Sequence, residues 1–213
     1  MKNKSNKKAA WKKNRRFGDI MGGRSRVKLK DGIVKRLHSL NVPTTSDELP
    51  IFIVENTSRD YYFPISVDDV RNELLNYPDE EISCITHIWL RRHNPKDKIQ
   101  GYSVKGSGVC AVVIYPLTID RKIQLGKERP SPRVMKWYKG YADIRMDKDG
   151  WGAKFTEDSA HRYYLERLLP HEIAHCIAYN KGTMRHSAYR NENYADNFAY
   201  NHQGIWKGTS NEN

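Results

Sequence analysis

The sequence predicts an α+β domain in which a small mixed sheet packs on one long helix, with a second helix following it. Three observations carry this: short β-branched runs between residues 51 and 116, an apolar stripe of helical period from residue 157, and a second helical pattern over 188–201. Nothing repeats internally, so solenoid architectures are set aside.

The first stretch stands apart from that domain. The 213 residues hold 37 Lys and Arg against 25 Asp and Glu; 14 of the bases and two of the acids, Asp19 and Asp31, fall within residues 1–36, so the remainder carries 23 of each. The sequence pI of about 9.5 therefore describes an arm and not the body. From Met1 to Arg26 the large apolar groups are Trp11, Phe17, Ile20 and Met21, too few to offset the entropy of ordering the segment by itself. Ile33, Val34, Leu37 and Leu40 then recur at helical spacing before Asn41 and Pro43. The expected division is thus a basic N-terminal arm with a short helix over 1–45 and a domain over 46–213.

Within the domain, IFIVEN (51–56) reads as a strand. SVDDVRNELLNY (66–77) reads as a helix capped by Ser66, with Val67, Val70 and Leu74 on one face and Pro78 as its stop. ISCITHIWLRR (82–92) and GVCAVVIYP (108–116) are rich in β-branched and aromatic residues and read as strands. GYADIRM and WGAKF flank DKDG, a hairpin turn signal. DKDG also resembles the start of a calcium loop, but its glycine comes at the fourth position instead of the sixth.

From Glu157 the apolar stripe runs through Tyr164, Leu165, Leu168, Leu169, Ile173, Ala174, Ile177 and Ala178, and Asn180 with Gly182 supplies a stop. Pro170 predicts a kink or a fresh helix start. HEIAH lies on this helix. Residues four apart differ by about 40° in direction, so His171 and His175 can face one cation, while Glu172, about 100° from His171, sits where a general base is needed. In AYRNENYADNFAYN (188–201), Glu192, Ala195, Asp196 and Ala199 share a face. Alanines let this helix approach the first, Glu192 supplies a third ligand, and Asp196 can accept the second N–H of a ligand histidine. His186 is the rival third ligand.

HEIAH followed by ENYADNFA resembles the gluzincin type of zincin metallopeptidases, most closely the ImmA/IrrE-like family; with His186 as ligand the stretch is similar to SprT-like proteases. The resemblance implies a zincin-like fold, a small mixed sheet on an active-site helix with a ligand-bearing helix after it. It also implies one Zn2+ ion held by His171, His175 and Glu192, with Glu172 as base. The expected reaction is hydrolysis of peptide bonds in a protein or peptide substrate, with Tyr189, Tyr194 and His186 as candidate oxyanion donors. Substrate is expected to add as a strand beside Val109–Tyr115, for which a buried central strand is the equal alternative.

Partners and compartment follow from composition. Residues 1–36 could contact nucleic acid through phosphates and stacked bases, or an acidic protein surface. Cys84, Cys110 and Cys176 are an odd set without paired spacing, which favours a reducing, cytoplasmic setting over a disulfide framework. Cys176 reads as a small buried hydrophobe in preference to a regulatory thiol. No apolar run approaches a membrane span. The rival functions are a DNA-associated SprT-like protease and a non-enzymatic interaction protein of a phage assembly or mobile element that keeps the zincin fold.

Overall fold

The computed structural model describes residues 40–92, 99–106, 108–182 and 188–209, the side chains of 188, 189 and 203–209 excepted. The chain divides into two compact units, Met1–Asn41 and Val42–Asn213. The arm, and the part of the expected short helix over 27–39, lie outside the described residues; residues 42–50 hold turns and bends and no helix.

The second unit runs β1 (Ile51–Val54), β2 (Tyr61–Tyr62), α1 (Val67–Leu74), α2 (Asp79–Ile82), β3 (His87–Leu90), β4 (Gly101–Gly106), β5 (Val109–Ile114), β6 (Leu117–Thr118), β7 (Lys122–Gly126), α3 (Pro132–Tyr138), β8 (Asp143–Asp147), β9 (Gly150–Lys154), α4 (Glu157–Tyr163), a π-helical turn (Tyr164–Leu168), α5 (Leu169–Asn180) and α6 (Ala188–Thr209). This is a mixed α+β unit. No described helix is long and apolar enough to cross a membrane.

The main sheet has the order β1-β3-β5-β4, with β1, β3 and β5 parallel and β4 antiparallel to β5. β5 is therefore an interior strand and not an edge. All six of its residues are buried, and an uninterrupted apolar run such as VCAVVI is what burial of both faces requires. The edges are β1 and β4, and sequence periodicity did not pick out β4. The strand expected from residue 82 begins only at His87, because Pro78 and the acidic Asp79, Glu80 and Glu81 open the helical turn α2 instead. β8 and β9 form the expected hairpin around Lys148 and Asp149, and β7 adds a third strand beside β9.

Ser66 caps α1 as expected, its hydroxyl accepting from Asp69 N. The α4–α5 stretch is one continuous rod whose middle turn is widened. Pro170 offers no N–H to the carbonyl four residues back and its ring crowds that carbonyl. The turn before it relaxes to the i→i+5 pattern, with Leu169 N–H donating to Tyr164 O. Leu169, Ile173 and Ile177 bury against Ile88, Leu90, Val112 and Ile114 in a shared core, each fully buried side chain worth roughly 1.5–3 kcal/mol. That packing sets α5 over β4 and β5. Gly182, at a φ of 69°, ends the helix where a left-handed residue is needed.

Candidate metal centre

One turn of α5 separates His171 from His175, and both imidazoles are buried. Their Nε2 atoms lie 3.1 Å apart, with the rings nearly perpendicular at 88°. Across from them, α6 brings in the carboxylate of Glu192: Oε2 is 3.5 Å from His171 Nε2 and Oε1 is 3.5 Å from His175 Nε2. A four-coordinate ion bonded at about 2.0–2.2 Å to such atoms sets neighbouring ligands roughly 3.3–3.5 Å apart. Each nitrogen faces a different oxygen of the one carboxylate, and one ligand atom from each of the three residues lies within 4.8 Å of the others, a grouping that could hold a metal ion; no other group of this kind occurs among the described residues.

Asp196 stands one helical turn beyond Glu192 and splits its carboxylate between two partners. Oδ1 lies 3.2 Å from Nδ1 of His171, close but off the line of a good hydrogen bond. Oδ2 accepts from Arg133 Nε at 2.9 Å and has Nη2 at 2.7 Å. The Nδ1 of His175 is buried with no hydrogen-bond partner among the described residues.

The charges of these groups follow from that packing. Burial works against a charged His171, but the carboxylates of Asp196 and Glu192 outweigh it and push its pKa up to about 9. His175 is held below its ordinary value by burial and then by the charge of His171. Glu192 is lowered by its contact with His171 and by the neighbouring His175 and Arg133 charges. In Asp196, burial is overcome by His171 and Arg133, and its pKa falls. The carboxylates of Glu192 and Asp196 thus favour positive charge between them, which a divalent cation can supply.

Glu172 lines a cavity of about 500 Å3 together with His171, His175 and Glu192. It is 5% exposed, and burial lifts its carboxyl to about 8, against the opposing charge of His171. Residues 99–103 of and before β4 line the cavity, as do Trp137, Tyr163, Leu168 and Tyr179. The approach of β4 depends on Gly101, where an added Cβ would lie 3.2 Å from Cγ and Oε1 of Glu172 and from Cδ1 of Leu168. Trp137 donates Nε1–H to the Tyr163 hydroxyl at 3.0 Å and sets its ring 5.0 Å from that of His171.

His171, Glu172, His175, Glu192 and Asp196 are therefore brought together. Tyr194 is not: it lies beside Phe198 and Lys181 and is absent from the cavity wall. Two residues past Glu192 is about 200° round the helix, which turns Tyr194 to another face. His186 and the side chain of Tyr189 lie outside the described residues. Cys176 is fully buried in the core.

Sequence reading missed α3, which contributes Arg133 and Trp137 one turn apart on the same face. Its signal was present in Ser131 as cap and Pro132 at the first helical position. Tyr179, which lines the cavity from α5, was also missed. No protein-family model, curated protein or solved structure matches the chain.

Proposed function

We propose that the chain is a zincin-like metallopeptidase that binds one zinc ion through His171, His175 and Glu192 and hydrolyses peptide bonds in a polypeptide substrate. The observation that carries this reading is the convergence of two Nε2 atoms and a carboxylate at ligand spacing, with a buried glutamate next in sequence facing a cavity. Two imidazoles and one carboxylate are a common donor set for catalytic zinc, leaving a coordination position open. A zinc ion so held supplies Lewis-acid polarisation of a carbonyl and eases deprotonation of water near neutrality.

The remaining roles fall to this chain's own groups. Glu172, kept from solvent and raised by burial, takes a proton from the attacking water on its carboxylate and returns it to the leaving amine. Asp196, beside Nδ1 of His171, orients that ring and fixes its tautomer. β4, an edge strand of the sheet among the described residues, lies along the cavity, so an extended substrate can add to it through backbone hydrogen bonds. Tyr179 at the cavity wall is the candidate donor to a developing oxyanion.

Metal analysis combined with peptide-library cleavage tests the proposal. Purified wild type and Glu172→Gln are both expected to carry about one zinc per chain, and Glu172→Gln to lose roughly 10²–10⁴-fold in turnover. A wild-type protein that binds no stoichiometric metal, or a Glu172→Gln variant with full activity, refutes it.

A further inference from the structure

We propose that a second cavity, on the far side of Asp196 from His171, is an anchoring site for a carboxylate side chain of a bound polypeptide. This cavity has a volume of about 510 Å3 and lies between α3 and α6, with Arg133 and Lys136 on one wall and Asn193, Asp196, Asn197 and Tyr200 on the other.

The spacing of these residues makes the cavity a built feature. Arg133 and Lys136 are three apart on α3, and Asn193 and Asn197 are four apart on α6, so each helix presents both members of its pair to the same side. Lys136 Nζ lies 4.4 Å from the centre of the Tyr200 ring, a cation–π contact that holds its ammonium at the wall. The buried Arg167 places its guanidinium 3.8 Å from the centre of that same ring. Lys136 and Arg167 thus share the Tyr200 ring, and the one carboxylate in the cavity lining is that of Asp196.

That carboxylate is already engaged. Asp196 gives Oδ2 to Arg133 and directs Oδ1 towards His171, and the other lining side chains carry no negative charge. Arg133 also lies 3.7 Å from Glu192 Oε2, so its charge is shared between two acids, and the Lys136 ammonium, which pairs with no carboxylate among the described residues, supplies the positive charge that an arriving anion meets. Arg133 spends Nε and Nη2 on Asp196, which leaves Nη1 with no partner among the described residues. Together with the Lys136 ammonium and the two Asn carboxamides, it offers the convergent donors that a planar carboxylate takes.

Size and position favour a polypeptide over a free ion. One water occupies roughly 30 Å3 of liquid, so the cavity admits a side chain with part of its backbone. α3 and α6 also wall the metal-site cavity, through Trp137, Asn191 and Glu192. The two cavities thus share walls from α3 and α6, and one polypeptide is proposed to span both. The inference rests on the peptidase reading only in that a polypeptide occupies the first cavity; binding at the second needs no metal.

The test is a titration of the 15N-labelled full-length chain with the blocked tripeptide Gly-Glu-Gly, with Gly-Gln-Gly and with inorganic phosphate at matched ionic strength, read at the carboxamide signals of Asn193 and Asn197. The Glu peptide should give saturable shifts there, the Gln peptide none, and Lys136→Glu should weaken the Glu peptide by about tenfold or more. If Lys136→Glu loses native amide dispersion, Asn197→Asp serves in its place with the same expectation. Equal responses to both peptides, an affinity indifferent to both variants, or saturation by phosphate that the Glu peptide does not displace would each overturn the assignment. Zinc content is measured on the same samples. Metal-free wild type would refute the peptidase reading and still leave the peptide titration decisive for this one.

Discussion

Gly101 on β4 and Glu172 on α5 lie so close that a methyl group on the glycine would stand 3.2 Å from both Cγ and Oε1 of the glutamate. The edge strand and the proposed base are therefore fitted to each other through a missing side chain. Gly101→Ala should shift the Glu172 carboxylate by a few tenths of an ångström. Since small misplacements of reacting groups are costly, turnover is expected to fall by about tenfold or more, with zinc content and far-UV circular dichroism unchanged. Equal kcat in Gly101→Ala and wild type would show that the contact has no bearing on the chemistry.

Metal affinity separates the two acids of α6. Glu192→Ala removes a proposed ligand and should abolish stoichiometric zinc. Asp196→Asn keeps the ligand set but weakens the support of His171, for which a 10–100-fold loss in affinity is expected, to order of magnitude. Chelator competition measures both. The His186→Ala variant should keep wild-type affinity; zinc lost there and retained in Glu192→Ala would reverse the assignment.

Two tyrosines give a sharper test of the cavity. Tyr179 lines it and Tyr194 does not, so Tyr179→Phe should lower kcat/KM by up to about 10²-fold, whereas Tyr194→Phe should leave it within about twofold, as an exposed residue away from the reacting groups. Hydrolysis rates on one peptide substrate settle the comparison.

What could be read in the sequence was what is local. His171, Glu172 and His175 sit within five consecutive positions, and the helical period that aligns the two imidazoles also aligns the apolar stripe that buries α5. Glu192 and Asp196 were legible for the same reason. Arg133 and Gly101 were not, because their roles exist only after α3 and β4 have packed against helices distant in sequence. β4 carries two glycines and a weak apolar pattern, whereas β5 announces itself with six apolar residues. Strength of pattern reported burial there, and the edge that matters for the site was the strand with the weaker pattern.

The cap of α1 links stability to pH through Asp69. Its carboxylate accepts from the Ser66 backbone N–H and hydroxyl, each at 2.7 Å, and lies 3.5 Å from His161. Partial burial pushes its pKa up, but the Ser66 hydrogen bonds and the His161 charge prevail and hold it below the ordinary aspartate value. A group lowered in the folded state stabilises the protein above its unfolded pKa of about 4 and loses that contribution as pH falls through the folded value. Asp69→Asn should therefore destabilise the metal-free protein at pH 7, and the gap to wild type should close towards pH 3. Ser66→Ala, which removes the reciprocal cap, should cost about 1 kcal/mol at neutral pH. Urea unfolding of the chelator-treated proteins at both pH values checks these expectations. An Asp69→Asn deficit that stays constant between them would mean that the Asp69 charge takes no part in the cap.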